Sequence, residues 1–260
     1  MSSHNFKWFS LVGVFNYKTL IITSLSLATT FMCVKFNITA KFPDLLIGMA
    51  IVFPVVFSIS SAFTRREFAL QRFSEFKGHL ISIYFAFKYW PLESSNSELT
   101  NKVKVEIHAI FSLFTMMLVS RETWKLNEKK MYEHFKNLSL HISELRSLNV
   151  QSGEISRVNQ YISKIIISFD SMRSVHLYRT PIALRMFSRV FIYSFPLLYA
   201  PYFAEISKDY HPCLVYVMPL LYSFILISLN NIQEQLENPF DSIGVDDIII
   251  NVDEETFMLE

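Results

Sequence analysis

Few residues in this chain are spaced for chemistry on a bound substrate. Glu106-Ile107-His108 sets an acid two residues from an imidazole, a spacing that cannot share one helical face. His134 and His141 stand seven apart, two turns on one face, which suits surface or buried partners, and His79 is the remaining candidate. No His-Glu-x-x-His motif occurs, and the five glycines are too scattered for a phosphate loop. Cys33 and Cys213 lie in or beside apolar runs, with neither disulfide nor metal spacing. An enzyme is therefore not expected, and no cofactor is implied. The acids Asp241, Asp246 and Asp247 are the only calcium candidates, and a poor set for an ion that takes six to eight oxygens.

The chemistry that remains is that of letting ions pass. Phe53 and Phe57 fall one helical turn apart in Phe53-Pro54-Val55-Val56-Phe57, with Ser60 or Ser61 further along the same face. Turned toward an axis in a ring of subunits, such a face makes an apolar constriction that gates by dewetting. Ser58, Ser60, Ser61 and Thr64 leave that segment, and Arg65 and Arg66 follow it. Basic residues near a pore mouth favour anions, although Glu67 and Glu75 dilute the basic field.

Such a face needs a membrane-spanning helix, and the composition supplies the class. Apolar residues make up 51% of the chain and charged ones 18%, against about a quarter in soluble domains. Mean hydropathy is +0.29. A net charge of +1 excludes the basic field of a nucleic-acid binder. Apolar stretches near the ~20 residues needed to cross a bilayer predict four transmembrane helices, at about 19–36, 44–63, 185–204 and 212–230. Pro54, Pro196, Pro201 and Pro219 lie inside three of them, so neighbouring protein must take up the freed carbonyls.

Arg65, Arg66, Arg72 and Lys77 form the densest basic cluster, which places that end in the cytoplasm. Two hairpins result, with both termini cytoplasmic. Residues 64–184 then read as a helical cytoplasmic block. Phe68, Phe73, Phe76, Leu80, Ile83, Tyr84 and Phe87 recur at three- and four-residue steps. Val103–Val119, Asn127–Leu148 and Glu154–Leu177 predict further helices, the first of them a buried one rather than a span. Asp247–Val252 alone reads as extended. The class is an all-α polytopic membrane protein, and since four spans cannot enclose a pore, a cyclic oligomer is required.

The last apolar run passes without a break into Asn230-Asn231-Ile232-Gln233-Glu234-Gln235-Leu236-Glu237-Asn238-Pro239-Phe240, with Asp246-Asp247 soon after. Gln235, Asn238, Pro239, Phe240, Asp246 and Asp247 resemble the signature that closes the last membrane helix of bestrophin ion channels. The order of spans is similar to that family over roughly residues 10 to 250, as one channel domain in 1–260 with the tail 231–260 cytoplasmic. The resemblance implies a homopentamer in the cell membrane, with a pore neck at Phe53, Phe57, Ser60 and Ser61. It also implies a second narrowing at Arg179-Thr180-Pro181-Ile182, carried by Thr180 and Ile182. With Thr64, Arg65 and Arg66 in the vestibule, chloride is the expected ion. A cation channel of the same fold, or a non-conducting transporter or scaffold, are the alternatives. Where the family's animal members carry consecutive acids for calcium, this chain reads Asp241-Ser242-Ile243-Gly244-Val245-Asp246-Asp247, so the expected role of the tail is to cap or wrap a neighbour.

Overall fold

The computed structural model describes residues 16–41, 44–91, 97–118, 121–178, 181–206, 211, 213–240, 247–256 and 259. The helices are α1 (Tyr17–Lys35), α2 (Asp44–Tyr89), α3 (Ser97–Leu118), α4 (Arg121–Glu144), α5 (Ser152–Leu177), α6 (Ile182–Ile206), α7 (Leu214–Leu236) and α8 (Val252–Thr256), with a 3-10 turn at Leu145–Leu148 after α4. They form two compact units. The first comprises the chain to Arg65, Arg179–Asn238 and Ile243–Asp246; the second comprises Arg66–Tyr178, Pro239–Ser242 and Asp247–Glu260.

In the first unit α1 packs on α6 and α7, which also pack on each other. Asn16 starts α1, its side chain accepting from the Tyr17 N–H at 2.7 Å while the Thr19 hydroxyl takes the Asn16 N–H. The helix closes on Asn37 at φ 54°, with the Ile38 N–H donating to the Cys33 carbonyl and the Asn37 N–H to Val34. Thr19, Ile22, Ser26 and Thr30 form the buried face, small enough to bring backbones close together. The proline-containing helices use that face. Ser26 Oγ donates to the Pro219 carbonyl at 3.2 Å, Thr29 Oγ1 lies 3.0 Å from the Pro196 carbonyl, and the Ala40 N–H reaches Pro201. Ile51, Val55, Ile192, Phe195, Phe203 and Ile227 fill the apolar centre. Among the described residues, α1 and α7 have the length and apolar composition to cross a membrane.

The second unit is an aromatic core. Trp124 is fully buried and stacks on Phe169 (5.4 Å between centroids) and on His176 (5.3 Å). Phe76, Phe111, Phe114 and Phe135 surround them edge-on or tilted. Val103, Ile107, Ile110 and Met117 of α3 are all buried there, as expected of a core helix.

Two expectations change. The segment expected as the second span and the helix expected from Arg65 are one element, because no residue near 63–65 stops α2. Its buried positions run on through Ile51, Val55, Ser58 and Ala62 to Ala69, Phe73, Phe76, Leu80, Ile83 and Phe87. Asp247–Val252 forms no strand, and there is none among the described residues. Ile248 is buried and its N–H donates to the Pro239 carbonyl at 2.7 Å. Of the isoleucine run, Ile248 packs into the aromatic core of the second unit while Ile249 is exposed.

Two outcomes follow for the second unit. Trp124→Ala should cost about 3–5 kcal/mol through lost packing. Trp124→Phe should cost about 1 kcal/mol, because the buried indole N–H has no hydrogen-bond partner among the described residues and its loss offsets part of the lost volume. Chemical denaturation of the purified protein separates the two. His79 stacks on Tyr161, and burial, then the Lys164 charge, hold its imidazole below its ordinary 6.5. The unfolded chain therefore binds the proton more readily, and stability falls as pH drops below that value. The unfolding midpoint should decline from neutrality to about pH 5, and decline less in His79→Gln.

Candidate functional site

The C-terminal end of α7 is where charged side chains of the first unit converge. Glu234 accepts from Lys18 of α1 at 2.9 Å, from Arg189 of α6 at 2.8 Å and from Asn230 at 3.4 Å. One turn on, Glu237 pairs with Arg185 of α6 at 3.3 Å and accepts from Gln233 at 3.0 Å, with only 5% of its side chain exposed. Its backbone carbonyl accepts from Arg65 Nε at 3.3 Å. Asn231 donates to the Thr19 hydroxyl at 3.1 Å. Residues from α1 and α6 thus meet on two carboxylates three residues apart, and Arg65 of α2 meets the backbone carbonyl of the second.

The closing motif acts through geometry more than through chemistry. Pro239 follows the helix end and cannot continue it, and its carbonyl receives Ile248. Phe240 is buried in the aromatic core of the second unit. Asn238 donates its N–H to the Gln235 carbonyl at 3.3 Å. Sequence reasoning chose Gln235 and Asn238 but passed over Glu234, Glu237, Lys18, Arg185 and Arg189. The available signal was two acids one turn apart ending an apolar helix, with cations at the same end of two other apolar helices.

On the segment expected to form a neck, Phe53 and Phe57 are 54% and 64% exposed, with ring centroids 6.3 Å apart. Ser60 and Thr64 are exposed and Ser61 half-buried, whereas Ser58 is buried. The two arginines expected in the vestibule are engaged. Arg65 holds the Glu237 carbonyl, and Arg66 pairs with Glu67 at 2.6 Å. Ile182 is exposed at the start of α6, and Thr180 lies outside the described residues. So do Asp241 and Asp246; Asp247 is described and half-buried. No group of three metal-ligating side chains occurs among the described residues. An open cleft of about 470 Å³ in the first unit is walled by Ile51, Phe195, Tyr199, Phe203, Leu214 and Leu226 among others, with no charged side chain among the residues that line it.

No protein-family model and no curated protein matches the sequence. The fold, however, is similar to that of solved structures. A crystal structure of a bacterial bestrophin homologue from Klebsiella pneumoniae superposes with a TM-score of 0.78 at 15% identity, covering 93% of this chain and 97% of the other. A second crystal structure of a bestrophin homologue from that organism gives 0.74 at 14% identity over 94% and 96%. A crystal structure described as a membrane protein gives 0.78 at 14% over 93% and 97%. The chain has a bestrophin-like fold.

The ion-pair cluster sets a stability test. Glu237→Ala leaves the Arg185 guanidinium buried without its carboxylate and should cost about 3–5 kcal/mol. Adding Arg185→Met should restore most of that loss. Thermal unfolding in detergent, with both variants beside wild type, reads the difference; equal losses in the two would mean the pair is not what holds α6 to α7.

Proposed function

We propose that this chain is the subunit of a homo-oligomeric ion channel of the cell membrane, most simply a pentamer, passing small inorganic ions along an axis lined by α2. The proposal includes four spans, with both termini cytoplasmic. The observation that carries it is the bare phenyl pair. Phe53 and Phe57 stack along one exposed face of a helix whose opposite face, through Ile51 and Val55, is buried in its own unit. Large apolar side chains presented at one turn's spacing suit a ring in which copies of the same helix meet. The likeness to bestrophin homologues supports the same arrangement.

The chloride reading rests on Arg65 and Arg66 as the charges of the vestibule. Conduction of cations is the second reading, and a specific observation favours it: Arg65 is drawn to the end of α7 and Arg66 to Glu67, so neither presents an isolated positive charge. For a non-conducting scaffold, the same rings would face lipid like the other exposed apolar residues of the first unit, and no further observation favours that reading.

Protein in mild detergent should give a native mass about five times 30.4 kDa; a monomer would sink the oligomeric reading. Reconstituted in planar bilayers it should conduct. Phe53→Ala/Phe57→Ala should raise the current several-fold by lowering the dewetting barrier, while unchanged currents in a folded double variant would return both rings to lipid or helix packing.

A further inference from the structure

The exposed face of α2 continues past the neck, and its chemistry is one-sided. Ser60, Thr64, Glu67, Gln71, Ser74 and Gly78 follow Phe53 and Phe57 at steps of three and four residues, and all are exposed. Along this face from Phe53 to Gly78 the formally charged residues are both acids: Glu67, the more exposed, and Glu75, which lies five turns on in line with Phe57 and is paired with Arg72. The hydroxyls point their hydrogens inward. Thr64 Oγ1 donates to the Ser60 carbonyl at 2.9 Å, and Ser74 Oγ to Leu70 at 3.0 Å. A hydroxyl that spends its hydrogen on its own helix offers lone pairs to whatever passes outside. Gln71 likewise directs its NH₂ to Glu75 at 3.2 Å. The nearby cations are turned away from this role: Arg72 pairs with Glu75 at 2.7 Å and lies over the Phe68 ring. Arg66 bonds one oxygen of Glu67, but its side chain is 21% exposed against 45% for the glutamate, so the carboxylate is the outer member of the pair. An exposed pair of this kind leaves its partners largely hydrated and only loosely coupled.

We propose that Glu67 is the specificity-determining charge of the ion path and that it selects monovalent cations over chloride, assisted by the acceptor-rich face formed by Thr64 and Ser74. This rests on the channel reading above and gives its substrate class. Copies of Glu67 around an axis sum their fields. A carboxylate within about a Debye length of the path, ~8 Å at physiological salt, enriches cations and depletes chloride together.

The test is the reversal potential of the full chain in planar bilayers under a potassium chloride gradient. Wild type should reverse toward the potassium potential. Glu67→Gln should lower the potassium-to-chloride permeability ratio about tenfold, Glu67→Arg should carry the reversal to the chloride side, and Glu67→Asp should keep the wild-type ratio. Arg66→Gln should raise the ratio more in the wild-type background than in the Glu67→Gln background, where there is no carboxylate to free. A conducting protein whose ratio is unmoved by Glu67→Gln, or a chloride-selective wild type, overturns the assignment and leaves the channel reading intact. A reconstituted protein that passes no current overturns both.

Discussion

A carboxylate at the end of an apolar helix must find cations, because leaving it unpaired away from water costs several kcal/mol. Glu234 and Glu237 impose that condition on the first unit. Glu234 takes Lys18 and Arg189, and Glu237 takes Arg185 and, through its carbonyl, Arg65. The four cations come from three other helices, so few arrangements of α1, α2, α6 and α7 bring all of them within 3.3 Å of their acceptors. Asn230, Asn231 and Gln233 then fill the remaining positions around the same turn. The polar end of α7 acts as a register mark for the helices that surround it.

The two units are held by different physics. In the second, apolar burial dominates, with Trp124, Phe76, Phe111, Phe114 and Phe169 inside and charged side chains paired outside. In the first, many large apolar residues face outward, among them Leu20, Ile21, Leu197, Leu198, Leu221 and Ile225. Its helices meet around a smaller apolar centre and through small hydroxyl residues, proline carbonyls and the ion pairs. Helices surrounded by lipid gain little from pressing apolar faces together, and close backbone approach with interhelical hydrogen bonds takes over. That contrast fits the proposed membrane location of the first unit.

Periodicity made most of the helices legible in the sequence, because a 3.6-residue pattern survives whatever the helix packs against. The run of α7 past its apolar part to Leu236 and the stop at Pro239 could be read directly. The continuity of α2 could not. Reading a separate helix from Arg65 assumed that a change from apolar to charged composition ends an element, whereas Thr64-Arg65-Arg66-Glu67 contains no helix breaker. Asp247–Val252 was misread because an isoleucine run carries a strand's composition whether or not a partner edge exists to pair with it. The ion-pair cluster was hidden for another reason. Its members are more than 200 residues apart at the extreme, Lys18 to Glu234, and single charges near helix ends look like topology signals until their partners are placed.

The length of α2 separates the two jobs given to its exposed face. The buried positions from Ile51 to Phe87 advance in steps that average close to 3.6 residues, the period of the α-helix itself, so neither the buried nor the exposed face drifts around the helix. Glu67 stands ten residues beyond Phe57, a rise of ~15 Å. That is nearly two Debye lengths at physiological salt, ~8 Å each. The field of the carboxylate therefore fades before it reaches the phenyl pair. In the proposed channel, whether water fills the neck would depend on the width and apolar character of a ring at Phe53 and Phe57, and which ion waits beyond it would depend on Glu67. Opening and charge preference would then reside on one helix yet answer to separate residues, so changing one should leave the other in place.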